Sequence, residues 1–224
     1  SNSFRMNSFI NLLLLVLSFP TLLFSVFVGF DLPIDFLNTT GKRLPYSNEV
    51  YLVLGLILLI IGLRRTIRRW MGVSMVKQVG KFVWNAPISK ERRMRVFVYN
   101  SIEGVVFLSL SFAHWFLTPS AIFVLLVYLI LALDSFLFVM INQANFRVGL
   151  SSKAILVADR EVLLIYLNGL RKVSVSQQTV YFDYSENLQL SFPLDCIEEP
   201  QKANFFTALE GQIDRDRVLF QHTK

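Results

Sequence analysis

The sequence has few of the residues on which common catalytic and metal chemistry depends. Its 224 residues include one cysteine, Cys196, and two histidines, His114 and His222. A single cysteine excludes an intrachain disulfide and a thiolate metal cage. The chain also lacks the HExxH, GxSxG and CxxC motifs and a phosphate-binding glycine loop, so the usual signatures of metal hydrolysis, acyl transfer and nucleotide binding are missing. We therefore expect no catalytic residue, no cofactor and no metal site.

Charged residues are scarce as well. They make up 17% of the chain, whereas hydrophobic residues make up 54%. Long apolar runs separated by charge clusters are typical of a polytopic membrane protein. A helix needs roughly 20 apolar residues to cross the bilayer core. The candidate runs are residues 9–30, 50–63, 96–117 and 121–141.

These runs predict a membrane α-helical bundle of four transmembrane helices in two hairpins. The first run is longer than the core of a signal peptide and has no small-residue cleavage site, so we expect a retained span, kinked at Pro20. The second run is short, and we extend it over Arg64 and Arg65, whose stems can reach the membrane surface. The turn at Pro119 is so short that it predicts an antiparallel pairing of the last two spans.

The segment 64–95 is strongly basic, with ten Lys or Arg residues against one acidic residue. Its apolar residues Met71, Met75, Val79 and Phe82 are spaced as on one face of a helix, which predicts a basic amphipathic helix in the membrane interface. A helix packed on a cytoplasmic domain is the alternative. The predicted contacts with lipid or the membrane surface are made by Arg64, Arg65, Arg68, Arg69, Lys77 and Lys81.

The same segment accounts for the net charge of +6, so we expect membrane lipids as partners and no nucleic acid. Basic loops stay in the cytoplasm. The rule places segment 64–95, both chain termini and everything after residue 142 on the cytoplasmic side of an integral membrane protein.

The chain after the fourth run has a different pattern. Residues 172–176, 179–184 and 187–192 alternate between apolar and polar, as half-buried strands do. Asn168-Gly169 predicts a β-hairpin between the strands beside it, and Asp159-Arg160 predicts a second tight turn. Residues 201–213 have helical spacing after Pro200. We therefore divide the chain into a transmembrane domain, residues 1–147, and a small cytoplasmic α+β domain, residues 148–224, with about five antiparallel strands and a C-terminal helix.

The last strand and single helix, "LQLSFPLDCIEEPQKANFFTALEGQI", resemble the pleckstrin-homology-like domains of bacterial membrane proteins. The resemblance covers residues 148–214, although those domains have seven strands and five are counted here. It implies a cytoplasmic binding or assembly module in the bacterial inner membrane, and it assigns no functional residue.

Two acidic residues stand inside the last two runs. Glu103 and Asp134 each lie about 12 Å from the cytoplasmic end of their span, so antiparallel helices would bring them to the same depth. An unpaired carboxylate there costs about 2.5–3.5 kcal/mol. The pair would share a proton, hold a cation between them, or each find a separate basic partner. A proton or cation site and a structural contact between helices or subunits are both open.

Two further residues are unusual in their surroundings. His114 is an intramembrane polar candidate, and its neighbour Trp115 makes an interfacial anchor the main alternative to a ligand role. Cys196 follows a predicted strand, which favours a buried structural cysteine.

Three functions remain open at this level. The missing motifs favour a non-enzymatic subunit or scaffold, whose cytoplasmic domain assembles with a partner protein or with the membrane surface. The alternative is a small homo-oligomeric proton or cation transporter or channel that uses Glu103 and Asp134, with Ser109 and Ser111 as candidate lining residues. A membrane-embedded enzyme acting on lipid is the third.

Overall fold

The computed structural model describes residues 2–185 and 187–223, with side chains from residue 9 to 185 and from 187 to 222. Its helices and strands follow the periodicities of the sequence closely. The α helices are α1 (Asn2–Gly29), α2 (Ser47–Val76), α3 (Lys90–Leu117), α4 (Ile122–Asn142) and α5 (Glu199–Gln212). The strands are β1 (Pro33–Ile34), β2 (Thr39–Thr40), β3 (Trp84–Pro87), β4 (Arg147–Leu150), β5 (Ala154–Ala158), β6 (Val162–Tyr166), β7 (Lys172–Ser176), β8 (Thr179–Ser185), β9 (Leu188–Pro193) and β10 (Leu219–Thr223).

Among the described residues, four helices are long and apolar enough to cross a membrane, as the apolar runs predict. They cover Phe9–Gly29, Ser47–Val76, Lys90–Leu117 and Ile122–Asn145. Helix α2, with 30 residues, is about 45 Å long at 1.5 Å per residue. It therefore exceeds the roughly 30 Å of a bilayer core and continues well beyond the predicted end near Arg65.

The chain forms two compact units. The helical unit consists of residues 8–67 and 99–140, and the strand unit consists mainly of residues 68–98 and the chain from residue 141 onward. The predicted boundary at residue 147 differs from this division, because residues 84–87 pair with 147–150 and so bring part of the basic segment into the strand unit.

Each transmembrane helix contributes to the core of the helical unit. Leu14 of α1, Leu58 of α2, Phe107 of α3 and Tyr128 of α4 are all buried there. Many other apolar side chains of these helices are exposed, as expected of a surface that faces lipid.

The predicted amphipathic helix through Phe82 is wrong beyond Val76. Helix α2 ends there, a 3-10 turn follows at Val79–Lys81, and strand β3 comes next. The reason is a long-range contact: Val83 N donates to Leu150 O at 2.8 Å, and the Phe82 ring packs so closely on Gly149 that a Cβ there would lie 2.6 Å from it. Sheet pairing thus overrides the local helical pattern.

The strand unit contains two four-stranded sheets, ordered β3-β4-β5-β6 and β10-β7-β8-β9. Neighbouring strands are antiparallel except β10, which runs parallel to β7. The alternating pattern predicts the buried faces correctly, since Val173 and Val175 face Phe182 and Val180 across the ladder and all four are buried. The count of five strands is wrong, because seven described strands follow residue 146.

One of the two predicted turns joins paired strands. The turn at Asp159-Arg160 connects β5 and β6, which are antiparallel partners. Asn168-Gly169 is also a turn, with Gly169 at φ +79°, but the predicted β6–β7 hairpin is wrong. Strand β7 already pairs with β8 on one side and β10 on the other, so this turn carries the chain from one sheet to the other.

The predicted C-terminal helix, residues 201–213, is confirmed as α5, with Pro200 in its first turn. Phe205 and Leu209 are buried. The Phe205 ring lies 5.1 Å from Trp84 of β3 and 5.3 Å from Phe192 of β9. The helix therefore closes the core of the strand unit, while Ile213 comes directly after its end.

Candidate functional site

Polar side chains of the four transmembrane helices make contacts in the helical unit through two consecutive residues of α2, Arg65 and Thr66. We call them the intramembrane cluster. Its members are Asn11 of α1, Arg65 and Thr66 of α2, Glu103 of α3 and Asp134 of α4.

Arg65 has the most contacts in this cluster. One Nη atom forms an ion pair with Glu103 Oε1, and the other donates to Asn11 Oδ1 at 3.1 Å. Its guanidinium carbon lies 5.5 Å from the centre of the Phe107 ring, a favourable distance for a cation over an aromatic face. The side chains of Arg65 and Glu103 are only 12% and 14% exposed, so the pair is largely sheltered.

Asp134 is half-buried and accepts a hydrogen bond from the Thr66 hydroxyl at 2.9 Å. The carboxylate therefore faces protein, as its cost in hydrocarbon predicts. Glu103 and Asp134 each have a donor on α2, and these donors are consecutive residues, Arg65 and Thr66. Of the sequence alternatives, a basic partner is found for Glu103, in Arg65. Asp134 makes the structural alternative, a hydrogen bond between helices, with the Thr66 hydroxyl.

The sequence interpretation missed Arg65 as a partner, because it placed the arginines of the second span nearer the membrane surface. The sequence does contain a signal that the helix continues: the helical spacing extends through Met71 and Met75, well beyond the apolar run. With α2 ending at Val76, Arg65 lies about 16 Å inside the helix.

The cluster is suited to holding helices together. An opposite charge compensates the carboxylate of Glu103, and a buried pair of this kind is costly to break from either side. Hydrogen bonds between transmembrane helices also favour their association. A proton or cation from outside the cluster would have to displace Arg65 before it could bind Glu103.

His114 is fully buried, at 0% exposure, so the interfacial-anchor interpretation of this residue is wrong. Its Nδ1 lies 2.8 Å from Leu110 O, and its ring stacks on Tyr128 with centroids 5.3 Å apart. Trp115 is 62% exposed, and its role as an interfacial anchor stays a prediction. His114 lies 11 residues beyond Glu103 on α3, about 16 Å along the axis, and so does not join the intramembrane cluster.

Hydroxyl groups surround this second region. Tyr128 donates to Ser18 Oγ at 2.8 Å, and the Ser25 and Tyr51 hydroxyls are also 2.8 Å apart. Such bonds satisfy hydroxyl groups that would otherwise be unpaired in an apolar core. They make this region a structural contact between α1, α2 and α4.

The two serines considered as lining residues have partners of their own. Ser111 is buried and donates to Leu125 O at 3.0 Å. Ser109 donates to Val105 O of its own helix at 2.8 Å. Both hydroxyl groups thus already donate to backbone carbonyls of α3 or α4.

The six basic residues with predicted lipid contacts fall into two groups. Arg64, Lys77 and Lys81 are exposed, and their contact with lipid stays a prediction. Arg65 pairs with Glu103, and Arg69 is only 2% exposed. Arg68 is half-buried, 3.5 Å from Val162 O. Protein contacts therefore account for these last three side chains.

The strand unit has an ionic cluster of its own at the beginning of α3. Arg92 Nε lies 2.6 Å from the buried Asp159, and Arg95 lies 2.6 Å from Asp195. Cys196 beside them is buried as expected, and burial raises the pKa of its thiol to about 12. Within the described part of the chain, no three His, Cys, Asp or Glu side chains are grouped to hold a metal ion.

No protein-family model, curated protein or solved structure matches the chain. The class of the protein therefore rests on its own features. Four helices long and apolar enough to cross a membrane indicate a polytopic membrane protein, and a small strand-rich domain with a helix near its end follows them.

Proposed function

We propose that this chain is a non-enzymatic integral membrane protein, a subunit or scaffold whose strand unit assembles with a partner protein. The observation that carries this proposal is the pairing of Glu103 with Arg65. It supports a structural role for the intramembrane charges, because both members are sheltered and compensated within one helical unit. The spans then serve as an anchor of two helix hairpins.

The strand unit has surfaces suited to docking. Its sheets end in the edge strands β3 and β6, and β9 and β10. Tyr166 on β6 is 58% exposed and Leu219 on β10 is 62% exposed. An edge strand offers unpaired backbone groups to a partner strand, and large apolar side chains beside it add contact area.

The proposed orientation follows the charge pattern. The strand unit, which includes the basic residues from Arg68 to Arg95, lies on the cytoplasmic side of a bacterial inner membrane, with both termini there. The excess of Lys and Arg supports this placement, and the resemblance to pleckstrin-homology-like domains agrees with it. Exposed Arg64, Lys77 and Lys81 would then contact anionic lipid.

Purification of the tagged full-length chain from its own membranes in mild detergent tests the proposal. We expect a different protein at a fixed ratio. We expect Leu219→Lys or Tyr166→Lys to remove it, while the control Asn204→Lys, at an exposed position on α5, retains it. A homo-oligomer without a partner would overturn the assembly role.

Proton or cation flux in proteoliposomes that Glu103→Gln abolishes would instead establish the transporter. Retention on empty anionic vesicles, with no partner, would show docking to the membrane surface.

A further inference from the structure

The loop between α1 and α2 is a built hairpin. Strand β1 pairs with β2 in the register Pro33↔Thr40 and Ile34↔Thr39. A 3-10 turn, Asp35–Leu37, forms the tip, and Asn38 closes it with a φ of +49°. Asparagine tolerates this left-handed conformation better than most residues, so the local sequence fits the turn.

This hairpin is fixed to the end of α1. Leu32 N donates to Phe27 O at 3.0 Å, and Gly41 N donates to Leu32 O at 3.0 Å. A Cβ at Gly41 would lie 1.8 Å from Phe27 O, so only glycine allows this approach. Asp31 Oδ1 accepts from Lys42 N at 2.9 Å, and the hydrogen bonds it accepts hold the pKa of this carboxyl below its usual range. The position of the tip relative to α1 is thereby set.

The fixed tip presents apolar side chains outward. Phe36 is 86% exposed and Leu37 is 53% exposed. Two more exposed aromatic residues lie where the hairpin meets the helices: Phe30 directly after α1 is 60% exposed, and Tyr46 directly before α2 is 74% exposed. Tyrosine at the end of a span is typical of the membrane–water interface, and Phe and Leu are typical of apolar faces buried in that interface.

Geometry places the tip near that interface. The hairpin joins two helices that each have the length and hydropathy of a span, so its base lies at a membrane surface. Its strands have two residues each, which extend it by only about 7 Å. The headgroup layer of one leaflet is itself roughly 5–8 Å thick. A tip that extends only this far from the helix ends therefore stays within the headgroup layer.

We propose that Phe36 and Leu37 insert into the headgroup–acyl boundary of the leaflet in which α1 ends, and that lipid is what covers them. The hairpin is then a second, shallow membrane anchor that sets the depth of α1 and α2. The exposed carboxylate of Asp35 in the same turn limits this depth, since a charge favours the headgroup level over hydrocarbon. The inference is independent of the side of the membrane on which the hairpin lies and of the function proposed above.

Spin labelling in lipid nanodiscs tests this anchor. In a Cys196→Ala background, one nitroxide is attached to Phe36→Cys, to Leu23→Cys inside the α1 span, or to exposed Ser185→Cys in the strand unit. The measured quantity is the accessibility of each nitroxide to oxygen, which prefers lipid, relative to a nickel chelate, which prefers water. Leu37→Cys serves as the second tip position if Phe36→Cys does not fold.

We expect the ratio of oxygen to nickel accessibility at the tip to lie between those at positions 23 and 185, and several-fold above the latter. A ratio at the tip equal to that at position 185 would place the tip in water and overturn the proposal. Low accessibility to both reagents would overturn it as well, because that pattern means that protein covers the tip.

Discussion

Arg65 on α2 and Glu103 on α3 form an ion pair within the helical unit. In the sequence, the end of α2, strand β3 and the beginning of α3 separate the two residues, and neither residue belongs to a motif. Their pairing converts two costly charges into one neutral contact between helices. Arg65 also donates to Asn11 of α1 through its other terminal nitrogen, so this one side chain links three helices.

The ion pair leads to the first prediction. Arg65→Met leaves Glu103 without its cation, and we expect a loss of about 3 kcal/mol in the free energy of unfolding. The double variant Arg65→Met/Glu103→Leu removes both charges and recovers most of this loss. Titration with a denaturing detergent in mixed micelles measures it. Arg64→Met, at an exposed neighbour, is the matched control, with a change within about 0.5 kcal/mol. A double-mutant cycle that gives no coupling would contradict the assignment.

Asp134 is expected to need its hydrogen-bonding capacity more than its charge. Asn in its place still offers an oxygen to the Thr66 hydroxyl, which now donates at 2.9 Å, so Asp134→Asn should cost at most about 1 kcal/mol of stability. Asp134→Leu removes the acceptor and should lower expression and assembly further. Thr66→Val provides the complementary variant. Equal behaviour of Asp134→Leu and wild type in expression, oligomeric state and stability would show that the contact is dispensable.

The thiol of Cys196 should remain unreactive in the folded protein. Burial raises its pKa from the ordinary value of 9.0 to about 12, and the thiolate is the reactive form. Alkylation at pH 7.5 should therefore proceed only after unfolding. Rapid modification of the native protein would contradict the burial.

The same pKa difference gives stability a dependence on pH. The unfolded thiol ionises first, so the contribution of Cys196 is complete below about pH 9 and is lost as pH rises from there towards 12. We expect wild type to lose stability more steeply than Cys196→Ala over this range in urea unfolding. The comparison cancels the effect of lysines and tyrosines that titrate in both proteins. Parallel curves would show that the thiol does not contribute.

Labelling of cysteines in intact cells tests the proposed orientation. In the Cys196→Ala background, Lys42→Cys in the loop before α2 should react with a membrane-impermeant maleimide added outside. Ser185→Cys in the strand unit should react only after the cells are opened. Both positions are exposed in the structure, so access depends on the side of the membrane. Outside labelling at position 185 would reverse the assignment.

Much of the fold was predictable because its elements have strong local periodicity. The apolar runs locate the four membrane helices, and the alternating pattern of "KVSVS" gives β7 at Lys172–Ser176. The cost of a charge in hydrocarbon also marks Glu103 and Asp134 as residues that need partners. Each of these inferences uses only residues close together in the chain.

The partners themselves were decided by tertiary structure. The predicted helix stops at Val76 because the chain continues into β3, which pairs with β4 about sixty residues away. Strand β7 has β10 rather than β6 as its second neighbour. Arg65 and Thr66 become donors to Glu103 and Asp134 through the packing of α2 against α3 and α4. Periodicity tells which face of an element is buried, but it contains no information on which distant element covers that face. The sequence by itself therefore determined the membrane helices and most strands, and packing determined how their polar groups are satisfied.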